Sequence, residues 1–144
     1  MARRIVHDDT AAIAWVAART GCAVDSWQTP RAIGLRDADD RLLAAVVYER
    51  FSECDCNIHV ASDESGHWLT RAFLAQVFAY PFIQCGLRRV TGLVPAKNQR
   101  ALRFDQHLGF EVEGYCEQAM PGDDIVVLGM LRRRCRFIPK EYRC

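Results

Sequence analysis

The stretch Asn57-Ile58-His59-Val60-Ala61, followed by the turn Ser62-Asp63-Glu64-Ser65-Gly66 and a helical pattern from His67 onward, decides the fold. The first five residues read as a strand. The next five carry turn chemistry. The pattern over residues 67–84 then repeats at helical spacing. Leu69, Phe73, Val77 and Tyr80 fall on one side, and Trp68, Ala72, Ala75 and Ala79 on an adjoining one. Pro81 predicts a kink or an irregular last turn, because it lacks an amide proton and its ring crowds the preceding turn. Gly86 closes the unit, and Arg89-Val90-Thr91-Gly92-Leu93-Val94 alternates as a second strand. A strand, a helix and a strand in this order predict a right-handed parallel crossover.

Upstream, Asp8, Asp9 and Thr10 offer N-cap oxygens to a helix over residues 9–20. Ile13, Val16 and Ala17 form its apolar face, and Gly21 stops it. Ile5-Val6 is a candidate for a short preceding strand, but the run is too short to decide. After a loop over residues 22–30, a strand starts at Ala32, and Asp37-Ala38-Asp39-Asp40 turns the chain. The apolar run over residues 42–48 predicts a strand covered on both faces. With residues 57–61 it completes a three-stranded antiparallel meander. Downstream come Pro95-Ala96-Lys97-Asn98, a helix over residues 99–107, Gly109 as its C-cap, a strand from Phe110, a Pro121-Gly122 turn and a last strand over residues 125–131. The expected class is α/β. The sheet is mixed and mostly antiparallel, with a central parallel strand pair and helices on both faces. One domain is expected over residues 1–144, ending in a basic tail over 131–144.

Bulk properties exclude several classes of function. The net charge of +1 argues against a dedicated nucleic-acid binder. No apolar run approaches the roughly 20 residues that span a bilayer, so no membrane association is expected. The N-terminus has Arg3 and Arg4 but no apolar stretch after them, unlike a signal peptide. Seven cysteines, an odd number at irregular spacing, read as free thiols in a reducing compartment. The cytoplasm is therefore expected. Cys54-Asp55-Cys56 with His59 is not a strong zinc spacing, and no second ligand pair accompanies it, so no metal is expected.

Two local signals carry chemistry. A helix that follows a strand through a Gly-containing turn presents unpaired amides and the positive end of its dipole to an anion. Ser65, Gly66, His67, Trp68, Leu69 and Thr70 hold that place. They read either as a phosphate cradle or as an ordinary cap built on Asp63 or Ser65. The second signal is Asn98-x-x-Ala101-x-x-Phe104-x-x-x-Leu108-Gly109-Phe110, a short helix with Asn98 at its start. Asn98 serves as an N-cap, with room for a further role.

Together, in this order and separation, the two signals resemble the GNAT N-acetyltransferase superfamily over about residues 5–131. The segment from Asn98 to Gly114 is similar to the family's N-x-x-A…G-F…G signature. Less specifically, residues 59–110 resemble small acetyltransferases of bacteriophage and prophage genomes. The resemblance implies acetyl-CoA as co-substrate, lying between the strands at residues 57–61 and 89–94. Val60 and Ala61 would offer backbone groups to the pantetheine arm. Amides from Gly66 to Thr70, after Ser65, would hold the pyrophosphate, with His67 and Arg71 adding charge. Asn98 would bond the pantetheine arm or a phosphate, and Phe104 would pack nearby. Two departures stand out. Trp68 occupies a position that the family fills with glycine, so its side chain would crowd the phosphates. Asp105 stands where the family often has the tyrosine that protonates the departing thiolate, and an ionised aspartate cannot donate that proton.

The implied reaction is direct attack of an amine on the thioester. It needs a base, an oxyanion stabiliser and a proton donor. Base candidates are Glu49, Glu53, Asp55, His59 and Glu64, with His59 favoured because imidazole titrates near neutrality. Glu49 and Glu53, flanking Phe51, would alternatively bind a cationic amine. The proton donor is Asp105 with a raised pKa, a water molecule or Tyr115. The acceptor is an amine-bearing small molecule or peptide. Two other readings are a GNAT-fold module that binds CoA or a partner without catalysis, and a nucleic-acid-associated protein using Arg132, Arg133, Arg134, Arg136, Lys140 and Arg143. Phe137, Ile138 and Tyr142 either dock on the core or join a homodimer interface.

Overall fold

The computed structural model describes residues 2–7 and 10–144. The chain runs β1 (Arg4–His7), α1 (Thr10–Thr20), β2 (Arg31–Arg36), β3 (Leu42–Glu49), β4 (Asn57–Ser62), α2 (Arg71–Ala79), β5 (Arg89–Pro95), α3 (Gln99–Leu108), β6 (Glu111–Met120) and β7 (Asp123–Leu131). The expected capping by Asp8 and Asp9 lies outside the described residues. Among the described residues, seven strands form one sheet in the order β1-β2-β3-β4-β5-β7-β6. β4 and β5 pair in parallel, and the other neighbours pair antiparallel. The mixed α/β sheet expected from the sequence is therefore present. Short as it is, the Ile5-Val6 run does form a strand, because Ile5 and Val6 pair with Leu35 and Gly34 at the sheet edge.

Strand alternation divides the core into two layers. On one face α1 lays Ala12, Val16 and Ala17 over Ala32, Ala45, Val47 and Ala61, with Trp27 closing the end. On the other, Phe73, Val77 and Phe78 of α2 and Leu108 of α3 pack on Ile33, Val46, Tyr48, Ile58 and Val90. β3 contributes to both layers and is buried from Ala44 to Glu49. That is the double coverage its apolar run predicts.

The helix expected over residues 67–84 begins later, at Arg71. Glu64 and Gly66, just before that range, have φ of +66° and +78°, and the chain stays non-helical through Thr70. Thr70 caps the helix instead, accepting from the Phe73 amide at 3.1 Å. The irregular ending predicted by Pro81 is a π-helical turn over Tyr80–Gln84. Pro81 has no amide proton for the carbonyl four residues back, that of Val77. The buried Tyr48 hydroxyl supplies the missing donor at 2.6 Å.

The tail does not continue as a strand; it makes a 3-10 turn over Arg132–Arg134. Ile138 is buried in the core and Phe137 stacks on Phe78 at 5.1 Å. Arg136 donates to the Leu108 and His107 carbonyls at 3.0 and 2.9 Å, closing the C-terminus of α3. Arg134 pairs with Glu111, and Arg132 and Arg143 bond backbone carbonyls. Four of the tail's cations thus serve the fold rather than an open basic surface. Among the described residues no helix is long and apolar enough to cross a membrane.

Candidate active site

β4 and β5 pair through a single register position, Asn57 with Thr91, and then diverge. The gap opens into a cavity of about 1010 Å³. Its walls are Ile58, Val60 and Ala61 of β4 and Gly92, Leu93 and Val94 of β5. Asn98, Ala101, Phe104 and Asp105 of α3 line it on one face of the sheet, and Trp27, Glu49 and His59 on the other. The cavity therefore passes between the two layers where the sheet is interrupted.

On the α1 face stands a buried acid–imidazole pair. Glu49 is 4% exposed, and its Oε2 lies 3.0 Å from His59 Nε2. The Gln28 amide donates to the other carboxylate oxygen at 3.3 Å. The pairing follows from register. Val47 lies opposite His59 and Glu49 opposite Asn57, so Glu49, Asn57 and His59 share one face as diagonal neighbours. Trp27 stacks on the imidazole with centroids 4.9 Å apart. His59 is thereby held from above and from the side.

On the α2–α3 face Asp105 approaches β5 at Gly92. A Cβ added to Gly92 would lie 3.7 Å from Asp105 Oδ2. Burial pushes the Asp105 carboxyl up to about 7, so it carries a proton up to neutrality. A carboxyl held there is a proton donor below neutrality. Tyr115, the other donor considered, is 65% exposed on β6 and is not part of the cavity wall.

The turn before α2 is more internally bonded than its sequence suggests. Asp63 accepts from the Ser65 amide and hydroxyl at 3.0 and 2.7 Å. Desolvation opposes the Asp63 carboxylate, but these two bonds outweigh it and hold its pKa below the ordinary value. The amides of His67, Leu69 and Thr70 bond Ser65 Oγ, the Gly66 carbonyl and the Trp68 carbonyl. Those three donors are engaged within the turn. The amides of Arg71 and Ala72, in the first turn of α2, are the helix-end donors ahead of the capped Phe73.

Trp68 does not crowd this turn. Its ring is 5% exposed and points inward, 5.5 Å from Phe104 and 6.2 Å from Phe73. The ring turns inward because an indole gains more from the apolar layer than from solvent. Gly66, Trp68 and Leu69 line the cavity, whereas Ser65, His67, Thr70 and Arg71 do not. Asn98 lines it and also caps α3, accepting from the Ala101 amide at 3.2 Å.

The remaining base candidates lie elsewhere. Asp55 bonds the Thr91 hydroxyl at 2.9 Å and pairs with Arg89 at 3.5 Å. Burial raises its pKa, and the Thr91 bond and Arg89 oppose that rise. Glu64 pairs with Arg100 at 3.6 Å at the cavity mouth, and Glu53 is exposed outside it. Sequence reasoning missed Trp27 and Asn57 as site residues. Both were legible only as a loop aromatic and a polar strand start. All seven cysteines are free. Among the described residues no group of His, Cys, Asp and Glu could hold a metal.

No family model and no curated protein matches this chain in sequence. Solved structures do match in shape. Spermidine N-acetyltransferase from Vibrio cholerae, in complex with CoA and spermine, superposes with a TM-score of 0.70 at 13% identity, covering 92% of this chain and 96% of that one. The fold is the GNAT acetyltransferase fold. A dodecameric structure of the same Vibrio cholerae enzyme gives 0.69 at 12% identity, over 90% and 93% of the two chains. Mutant forms of its spermidine/spermine acetyltransferase give 0.68 at 14%, over 90% and 95%. In this GNAT sheet the interrupted β4–β5 pair, the α2 turn and α3 all border one cavity.

Proposed function

We propose that the protein is an acyl-CoA-dependent N-acyltransferase of the GNAT superfamily, transferring acetyl from acetyl-CoA to a primary amine. One observation carries the reading. A single cavity crosses the sheet at the β4–β5 gap, with a buried carboxylate–imidazole pair on one face and, on the other, the Asp105 carboxyl, which burial pushes up to about 7.

The residues fit the co-substrate. At Val60 and Ala61 β4 pairs with β3 but no longer with β5, so its open side suits an extended amide-bearing arm. Gly66, the N-terminal amides of α2 and the side chains of His67 and Arg71 suit phosphates. Asn98 and Phe104 border the same path. Acetyl-CoA supplies an activated acyl carbon and a thiolate leaving group.

His59, backed by Glu49, takes the proton from the attacking amine, directly or through water. The amine nitrogen bonds to the acetyl carbon and the carbon–sulfur bond breaks. Asp105 returns a proton to the sulfur, which leaves as a thiol. The bookkeeping of protons closes: one is gained on the α1 face and one is given on the α3 face.

The test is calorimetric titration with acetyl-CoA, with desulfo-CoA as control, followed by turnover on an amine panel. Micromolar binding, about −8 kcal/mol, with amine-dependent release of CoA thiol supports the reading. No heat and no thermal shift at millimolar acetyl-CoA refute it.

A further inference from the structure

The acceptor end of the cavity holds a polar group that the chemistry above does not use. Asn57 is 9% exposed and lines the cavity, on the one rung where β4 pairs with β5. Among the described residues no group bonds its carboxamide. Its polar atoms are not sealed in protein but open to the cavity, so their partners there are water or a bound ligand. Asn57 is the cross-strand neighbour of Glu49 and shares the face of His59. Any amine nitrogen held by the His59–Glu49 pair therefore lies beside this carboxamide.

The charges around it are unequal. Glu49 is the carboxylate here, and both its oxygens are engaged, by His59 and by the Gln28 amide. The other two acids of the wall are taken: Glu64 pairs with Arg100, and Asp105 belongs to the opposite face. Arg50, next to Glu49, also lines the cavity, and among the described residues its guanidinium has no ion pair. This end thus offers one site for a single nitrogen, an amide with both donor and acceptor, and a free cation at the rim. A polyamine would bring a second ammonium with no carboxylate to meet it and with Arg50 opposing it.

Resting on the acyltransfer reading, we propose that the acceptor is an amine carrying a carboxylate close to the nitrogen, of the free amino-acid type. The nitrogen sits between His59 and the Asn57 carboxamide oxygen. The carboxylate turns to the Arg50 guanidinium, with the Asn57 amide protons as second donors. Trp27, stacked on His59, walls the side-chain end.

The experiment measures kcat/KM with acetyl-CoA for a set of free L-amino acids, each beside its primary carboxamide, and for spermidine. Free acids are expected to exceed their carboxamides by roughly tenfold or more, the scale of one charge-assisted hydrogen bond. Spermidine is expected below the best acid. Arg50→Gln, at an exposed site, should bring the acid-to-carboxamide ratio close to one. Asn57→Ala should lower kcat/KM for acids by roughly tenfold, with acetyl-CoA affinity by calorimetry retained. Carboxamides or spermidine turned over as well as the acids, or a ratio unmoved by Arg50→Gln, overturn the inference while leaving acyltransfer standing. Acetyl-CoA bound with no amino acid turned over overturns it equally. Failure to bind acetyl-CoA removes the underlying reading instead.

Discussion

On the proposed mechanism, Asp105 ties stability to activity through one proton. Its carboxyl is held at about 7 by burial, against an ordinary value of 3.8. Each pKa unit corresponds to about 1.4 kcal/mol, so keeping the ionised form in the fold costs up to about 4 kcal/mol. The group faces a cavity that admits water, which reduces this to roughly 2–4 kcal/mol. The sign follows from proton counts. Between about pH 4 and pH 7 the native state holds a proton that the unfolded chain has lost, so stability falls as pH rises through that window. Below it both states are protonated, and above it the full penalty applies. Asp105→Asn keeps the shape and removes the titration. Urea unfolding of both proteins at pH 4.5, 6, 7 and 8 should give a difference of only about 1 kcal/mol at the acid end, because pH 4.5 lies just above the unfolded value. At pH 8 the variant should be more stable by roughly 2–4 kcal/mol, on the order of 5–10 °C in Tm. If Asp105 protonates the thiolate as proposed, the same substitution should lower kcat while the fold gains. Asp55, raised, and Asp63, lowered, are common to both proteins and cancel in the difference. A stability difference that stays constant from pH 4.5 to 8 would refute the reasoning.

Three further outcomes follow from the packing and the site. Tyr48→Phe leaves the Val77 carbonyl, which Pro81 cannot serve, without a donor, and should cost about 1–3 kcal/mol in urea unfolding. Adding Pro81→Ala should recover part of that loss; strict additivity of the two changes would contradict the account. Trp68→Ala should destabilise by about 3–5 kcal/mol, because the ring is core; tighter acetyl-CoA binding without loss of Tm would instead revive a clash at the phosphates. Glu49→Gln keeps a hydrogen bond to His59 but removes the charge behind it, and kcat should drop by roughly 10²–10⁴ with KM for acetyl-CoA little changed. Unaltered kcat in steady-state assays would remove the pair from the mechanism.

Much of the fold was legible because its signals are local. The period of Phe73 and Val77, the continuous run in β3, the Gly109 cap and the strand–helix–strand order each depend on neighbours a few residues apart. Errors fell where distant contacts decide. Trp68 fits a helical stripe in sequence, but Glu64 and Gly66 at positive φ and the rings of Phe73 and Phe104 hold it in a turn that folds inward. The Ile5-Val6 run is a strand because β2 offers it an edge.

The sequence by itself determined an α/β chain with a mixed sheet, a central crossover, and a set of candidates that included His59, Glu49, Asn98 and Asp105. Tertiary structure decided which of them meet. Cross-strand register brought Glu49 to His59, and the single β4–β5 rung opened the cavity between them and Asp105. It also set Tyr115 aside and brought in Asn57 and Trp27. Side-chain periodicity is encoded within a few residues, whereas register, strand divergence and desolvation arise only when segments far apart in sequence pack together.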